Sequence, residues 1–400
     1  MGAPQAVRTV DFRLLWAAAS TSLLGDGIRT AALPLLAISL SPTTAAAGIV
    51  TFAGTAPVLL FSLFGGALAD RHDRRNLMWR IDLARGLVVA AFAVWVLTTT
   101  PPLWGLAAMT FLLGSAGTVF DNASGAFIAD LVEPDQLPRA NGRLQASQLV
   151  SFQFLGPPVG AALFAVSAGA PLVVDALTFV AAAGLVFAIR ARHAPTRATV
   201  TTTIRADIAE GVRWLWRQKG LRLLAFELGL ANLSLQMGTT VLVLLIVKVL
   251  HGPEAIYGVV LAGGAAGGLL GSFAAGWVRG NLRPGLGLGL SIGVIAAALL
   301  LVGFAWAVPV VAVGYALGGF GIMLWNVQAV VIRQRLVPRE LMGRVTSAYR
   351  LIGWGGGPIG AVLGGVLGTA LGVRAPLVIG GVALGLSLLL VPRLAALERT

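Results

Sequence analysis

Twelve apolar runs partition this chain, at about 14–37, 44–68, 79–99, 103–128, 143–167, 171–190, 221–248, 254–278, 285–304, 309–332, 343–369 and 373–391. A helix needs about 20 residues to cross the hydrocarbon of a bilayer. Twelve crossings would use about 240 of the 400 residues and leave short loops and two tails. Charged residues are 11% of the chain, where a soluble domain carries roughly a quarter. That deficit excludes a soluble globular enzyme and a disordered chain. The first run holds Asp26, Arg29 and Pro34, and a second run follows closely, so it reads as a span and not as a cleaved leader. The expected fold is an all-α polytopic membrane protein of twelve transmembrane helices.

The gaps between runs predict the topology. One set holds Arg71, Arg74 and Arg75; Arg139 and Arg143; Arg279 and Arg283; and Arg333, Arg335 and Arg339. Four of the alternate gaps, 39–47, 98–102, 167–171 and 305–308, carry no charge, and only Lys248 and Arg374 fall on that second side. Basic loops stay on the cytoplasmic side. Both termini and the 191–220 gap fall with them, so both ends are expected in the cytoplasm. The net charge of +13 is explained this way, without nucleic acid.

The 191–220 gap divides the chain. Ile204, Ile208, Val212 and Leu215 alternate at helical spacing with Arg205, Arg213 and Arg217, which predicts a short amphipathic helix on the cytoplasmic interface. The stretches on either side repeat. Ala170-Pro171-Leu172-Val173-Val174 matches Ala375-Pro376-Leu377-Val378-Ile379, and Pro158-Val159-Gly160-Ala161-Ala162-Leu163 matches Pro358-Ile359-Gly360-Ala361-Val362-Leu363. Leu131-Val132 with Gly142-Arg143 parallels Leu336-Val337 with Gly343-Arg344. Three matches in one order predict two pseudo-symmetric six-helix halves, 1–190 and 221–400, joined by the 191–220 connector. Paired halves around a midplane site are a transporter architecture.

Catalytic chemistry finds no support. The chain has no Cys, so it forms no disulfide or thiolate site. Its three His (His72, His193, His251) stand at no metal-ligand spacing. Neither Lys219 nor Lys248 follows a Gly, so a Walker A loop is absent. No enzyme activity, cofactor or metal is expected.

Charges inside the runs stand out instead. Asp26 and Arg29 are three apart on one helical face. A lone charge at the bilayer centre costs roughly 2.5–3.5 kcal/mol on insertion scales, so both must face protein or water. They read either as a fixed ion pair or as a carboxylate that exchanges a proton beside an arginine. Asp82 and Arg85 form a second such pair, read as structural and close to the cytoplasmic end of span 3. Asp175 reads as a packing residue near the outer surface. Asp121 and Asn122 lie on span 4, Glu227, Asn232 and Gln236 on span 7, and Asn326 and Gln328 on span 10.

Gly66-Ala67-Leu68-Ala69-Asp70-Arg71-His72-Asp73-Arg74-Arg75 resembles the signature loop between helices 2 and 3 of the major facilitator superfamily. Asp73 stands where the signature has its second Gly, a departure similar to the branch of the enterobactin exporter and macrolide efflux proteins. Gly156-Pro157-Pro158-Val159-Gly160 is similar to the Gly-Pro core of the helix 5 motif of drug–proton antiporters in that superfamily, and reads equally as a packing seam.

The resemblance implies that helices 1, 4, 7 and 10 line a central cavity. It would then set Asn122, Asn232, Gln236, Asn326 and Gln328 towards substrate, and Asp26, Arg29, Asp121 and Glu227 in proton coupling. Gating would rest with Gly66, Asp70, Arg71 and Arg74 and with Gly156, Pro157 and Gly160. Asp70 would meet the start of helix 11 near residues 340–344. The expectation is a monomeric secondary transporter of a bacterial inner membrane. It would export a small lipophilic or amphipathic compound, of drug, macrolide or siderophore type, against protons by alternating access. Its partners would be that substrate, protons and membrane lipid. A proton symporter importing a small solute is the alternative; a membrane sensor or scaffold would need an appended domain or long loop that the sequence lacks.

Overall fold

A computed structural model of the chain describes residues 5–191, 204–338 and 341–390, with the side chains of 5–9, 62–67, 69–71, 204–209 and 284 left undescribed. Lipid offers no hydrogen-bond partners, so each span must satisfy its own backbone, and every regular element among the described residues is helical. In chain order these are α1 (Gln5–Leu40), α2 (Thr44–Arg71), α3 (Arg74–Thr98), α4 (Leu103–Leu131), α5 (Leu137–Ser147), α6 (Gly156–Val166), α7 (Ala170–Ala188), α8 (Ile204–Arg217), α9 (Lys219–Leu244), α10 (Glu254–Asn281), α11 (Pro284–Gly303), α12 (Val308–Leu336), α13 (Met342–Leu371) and α14 (Ala375–Ser387).

Eleven described stretches are long and apolar enough to cross a membrane. The twelfth run, expected at 373–391, is the shorter apolar helix Ala375–Leu390. The repeated Ala-Pro-Leu opens both α7 and α14, with its Pro in the first turn, where a missing N–H costs nothing. The fifth span, Leu137–Val166, is continuous but changes pitch: Gln148–Leu155 is π-helical between α5 and α6. Pro157 and Pro158 cannot donate to the preceding turn, and the wider pitch just before them absorbs the interruption.

The chain forms two compact units. The first takes in Met1–Pro42, Ala53–Ala198 and Pro253–Ala262; the second Thr43–Phe52, Thr199–Gly252 and Gly263–Thr400. In the first, α1 packs on α6 and α7, and α3 on α4 and α7. Phe12, Leu15, Met78, Phe127 and Val186 form its packed interior at one end. The buried Asp11 accepts the backbone N–H groups of Arg190 and Ala191, which ties the start of α1 to the residues after α7.

In the second unit, α9 packs on α13, and α11 on α12 and α14. The connector helix α8 is present where its periodicity predicts it, with Leu215 buried and Arg213 and Arg217 exposed. It rests on the start of α13: Glu210 pairs with Arg344, and Gly211 lies against the Arg344 carbonyl. That is the stretch where the superfamily resemblance puts the Asp70 contact. The side chains of Gly66, Asp70 and Arg71 lie outside the described residues.

Candidate functional site

Three helices of the first unit bring their buried charges to one place. Asp26 and Arg29 come from α1, Asp82 and Arg85 from α3, and Asp175 from α7. Arg85 Nη2 donates to Asp26 Oδ1 at 2.7 Å, and Arg29 donates to the same oxygen. Arg29 Nη1 reaches Asp175 Oδ2 at 2.8 Å, and Arg85 Nη1 reaches Asp82 Oδ1 at 3.4 Å. Asp82 and Asp175 are fully buried, while the Asp26 side chain keeps 19% of its surface. Asp82 Oδ2 and Asp175 Oδ1 have no hydrogen-bond partner among the described residues.

Both guanidiniums lie over the Phe179 ring, Arg85 at 4.1 Å from its centroid and Arg29 at 5.6 Å. A ring face attracts a cation most where water is excluded, so Phe179 is a platform for the cluster. Nothing in the sequence marks that residue.

This arrangement revises two expectations. Asp82 and Arg85 do not stand as a separate pair, and Asp175 is not merely a packing residue. All three join Asp26 and Arg29. The i, i+3 spacing shows which charges share a face of one helix, but not which faces of α1, α3 and α7 meet. Counted as ionised, the cluster holds three carboxylates against two guanidiniums, one negative charge in excess. Asp121 of α4 stands nearby and exposed. Gly117, one turn before it, faces the Arg85 guanidinium: a Cβ there would lie 3.7 Å from Nη2.

Another buried acid lies in the second unit. Glu227 of α9, in the second unit, is 1% exposed. Its Oε2 lies 2.9 Å from Ser387 Oγ of α14, and its Oε1 has no partner among the described residues. Ser387 Oγ also lies 2.8 Å from the Leu384 carbonyl. One hydroxyl proton cannot serve two acceptors at once. A proton on Glu227 satisfies both contacts and removes the cost of a lone buried charge. Glu227→Gln is therefore expected to keep the thermal stability of the wild type within about 1 kcal/mol, since an amide can replace a neutral acid there. A melting curve in detergent that collapses for Glu227→Gln would show an ionised carboxylate instead.

Asn122, Asn232 and Gln328 bond to groups on their own or a neighbouring helix. Asn122 Nδ2 donates to the Thr118 carbonyl at 2.8 Å, and Asn232 Nδ2 to the Leu228 carbonyl at 3.0 Å. Gln236 is half-buried beside Gly360 of α13. Gln328 is buried in the seam of α11 and α12, its Nε2 3.3 Å from Ser291 Oγ, whereas Asn326 is exposed.

Among the expected gating residues, Arg74 joins the start of α3 to the end of α4, donating to Asp130 at 2.8 Å and to the Ala126 carbonyl at 3.2 Å. Gly156, Pro157 and Gly160 lie on α6, where Gly156 meets Gly27 and Gly160 meets Ile28 of α1, backbone against backbone. The Pro157 carbonyl faces Gly258.

The sequence matches the Major Facilitator Superfamily over residues 15–361. It is 28% identical to the multidrug efflux pump Tap of Mycolicibacterium fortuitum, over 96% of each chain. It is also 28% identical to macrolide efflux protein A of Streptococcus pyogenes, over 53% of each. Among solved structures, the nucleoside transporter NupG aligns with a TM-score of 0.81 at 9% identity, covering 96% of this chain and 99% of that one. A bacterial homologue of the iron transporter ferroportin, in its inward-facing state, aligns with a TM-score of 0.75 at 16% identity, covering 98% and 100%. At such identities the two structures speak for the fold alone. The chain belongs to the Major Facilitator Superfamily and is a multi-pass membrane transporter.

Proposed function

We propose that this protein exports a small lipophilic or amphipathic compound in exchange for protons, by alternating access. The observation that carries this reading is the excess of acid over base inside the helices: three carboxylates against two guanidiniums in the α1–α3–α7 cluster, and Glu227, in the other unit, with no ion-pair partner among the described residues. Carboxyl groups kept inside membrane helices at such cost are suited to taking and giving up protons. Asp26, Arg29, Asp121 and Glu227 are the coupling residues of this proposal. Asn122, Asn232, Gln236, Asn326 and Gln328 are its candidates for substrate contact, and the Gly66–Arg74 loop and the α6 glycines its gating elements. The compound class and the outward direction follow the efflux proteins to which the sequence is similar.

The same proposal includes twelve spans in two six-helix halves, 1–190 and 221–400, with 191–220 between them. It places the protein in a bacterial inner membrane as a monomer, both termini in the cytoplasm. Two features support the repeat. Ala375–Leu390 supplies the last apolar helix, and Gly160 and Gly360, 200 residues apart, meet a backbone carbonyl in α1 and α9 respectively.

Transport by inside-out vesicles tests the reading. With an acidic lumen, a dye such as ethidium or a macrolide such as erythromycin is expected to accumulate inside as protons leave. One pH unit is worth about 1.4 kcal/mol per proton, or about tenfold accumulation. Collapse of the gradient should abolish it. Accumulation only when the gradient is reversed would make the protein a symporter and overturn the export direction.

A further inference from the structure

The coupling reading leaves open which carboxyl of the α1–α3–α7 cluster exchanges the proton, and the geometry separates the three. Asp26 Oδ1 takes hydrogen bonds from both Arg85 and Arg29. Asp175 keeps a full-strength bond to Arg29, 2.8 Å long. Among the described residues, the Asp82 side chain has only the 3.4 Å contact to Arg85, whose shorter bond goes to Asp26, and its Oδ2 has no partner although the residue is fully buried. A buried carboxyl so weakly held is most stable when neutral.

We propose that Asp82 is the residue of this cluster that binds and releases the transported proton, and that Arg85 moves between Asp26 and Asp82 as it does so. The inference rests on the proton-coupled reading above. When the Asp82 O–H bond breaks, the proton passes to water and the new carboxylate draws the Arg85 guanidinium away from Asp26. Reprotonation of Asp82 returns Arg85 to Asp26. The charged groups that act on Asp82 are Arg85 on its own helix, Asp26 on α1 and Asp121 on α4; Arg29 and Asp175 complete the surroundings through Asp26. Asp26 is partly exposed and Asp121 exposed, so the cluster meets the molecular surface on the side towards α4, where the proposal has the proton enter and leave. Asp82 is thus a proton-carrying residue on a helix that the sequence reading assigned no coupling role.

Infrared difference spectroscopy of the purified full-length protein between acid and alkaline pH tests the assignment without any substrate. The C=O band of a protonated carboxylic acid is expected in the wild type, diminished in Asp82→Asn and retained in Asp26→Asn. A band unchanged in Asp82→Asn, or lost in Asp26→Asn, would overturn the assignment. In inside-out proteoliposomes, Asp82→Asn is expected to lose at least tenfold of gradient-driven ethidium accumulation while keeping gradient-independent ethidium exchange. Equal loss of both in folded protein would make Asp82 structural, against the proposal.

Asp82→Glu covers the case in which Asp82→Asn does not fold. It should restore accumulation with a displaced pH profile, and an undisplaced profile counts against the assignment. Wild type that exchanges ethidium but ignores the gradient would remove the coupling reading itself, whereas coupled Asp82→Asn would remove only the assignment.

Discussion

Gly160→Val is expected to abolish the folded protein, and Gly360→Val to do nearly the same. A Cβ at position 160 would stand 2.1 Å from the Ile28 carbonyl oxygen, and one at 360 would stand 2.4 Å from the Leu233 carbonyl oxygen. Both obstacles are backbone, so no side chain can turn aside. Overpacking a core ordinarily costs about 1–3 kcal/mol, and separating two helices along a whole seam lies at or beyond the top of that range. Lipid tails are as apolar as the side chains they would replace, so close backbone approach is what holds such helices together.

The control is Gly184→Ala, where a Cβ meets nothing within 4 Å. It should be neutral or stabilising by up to about 1 kcal/mol, because Ala is the better helix former. Thermal unfolding followed by size-exclusion chromatography in detergent reads all three. Wild-type melting of Gly160→Val would refute the seam, and with it the packing account of the Gly-Pro motif.

Those seams also explain why the fold was easier to read than the site. Run length and the scarcity of charge suffice for helices in lipid, because an irregular backbone has no partners there. The amphipathic connector was legible from Leu215 against Arg213 and Arg217. The π-helical turn at Gln148–Leu155 was not, since nothing short of the packed neighbours distinguishes it from α-helix. At the site, both Asp–Arg pairs were visible as i, i+3 neighbours. Their meeting was not, because it depends on how α1 and α3 are rotated, which is set by contacts such as Gly27 on Gly156 and Gly86 on Phe179. Asp175 and Phe179 belong to the site by that rotation alone.

Arg85→Met should be the most damaging single change within the charge cluster. Methionine keeps much of the apolar stem, so the loss is that of the cation. Arg85 gives Asp26 its 2.7 Å bond and Asp82 the one side-chain hydrogen bond it makes among the described residues. Removing one partner of a buried ion pair typically costs about 3–5 kcal/mol, because the remaining charge is stranded. Arg85→Lys should recover part of this: it restores the charge but not the fork that reaches two acids at once.

The second-site pattern is more informative. If Asp82 rests neutral and Arg85 serves Asp26, then Arg85→Met strands Asp26, and adding Asp26→Asn should recover more stability than adding Asp82→Asn. After Arg85→Met and Asp26→Asn, Asp175 faces Arg29 as a balanced pair. After Arg85→Met and Asp82→Asn, Asp26 and Asp175 still share one guanidinium. A double-mutant cycle on melting temperatures measures the difference, and residues in contact are expected to couple by about 0.5–3 kcal/mol. Greater rescue by Asp82→Asn would mean that Asp82 is ionised at rest and that Arg85 belongs to it. Arg85→Met within about 1 kcal/mol of wild type would mean that the cluster does not depend on this cation at all.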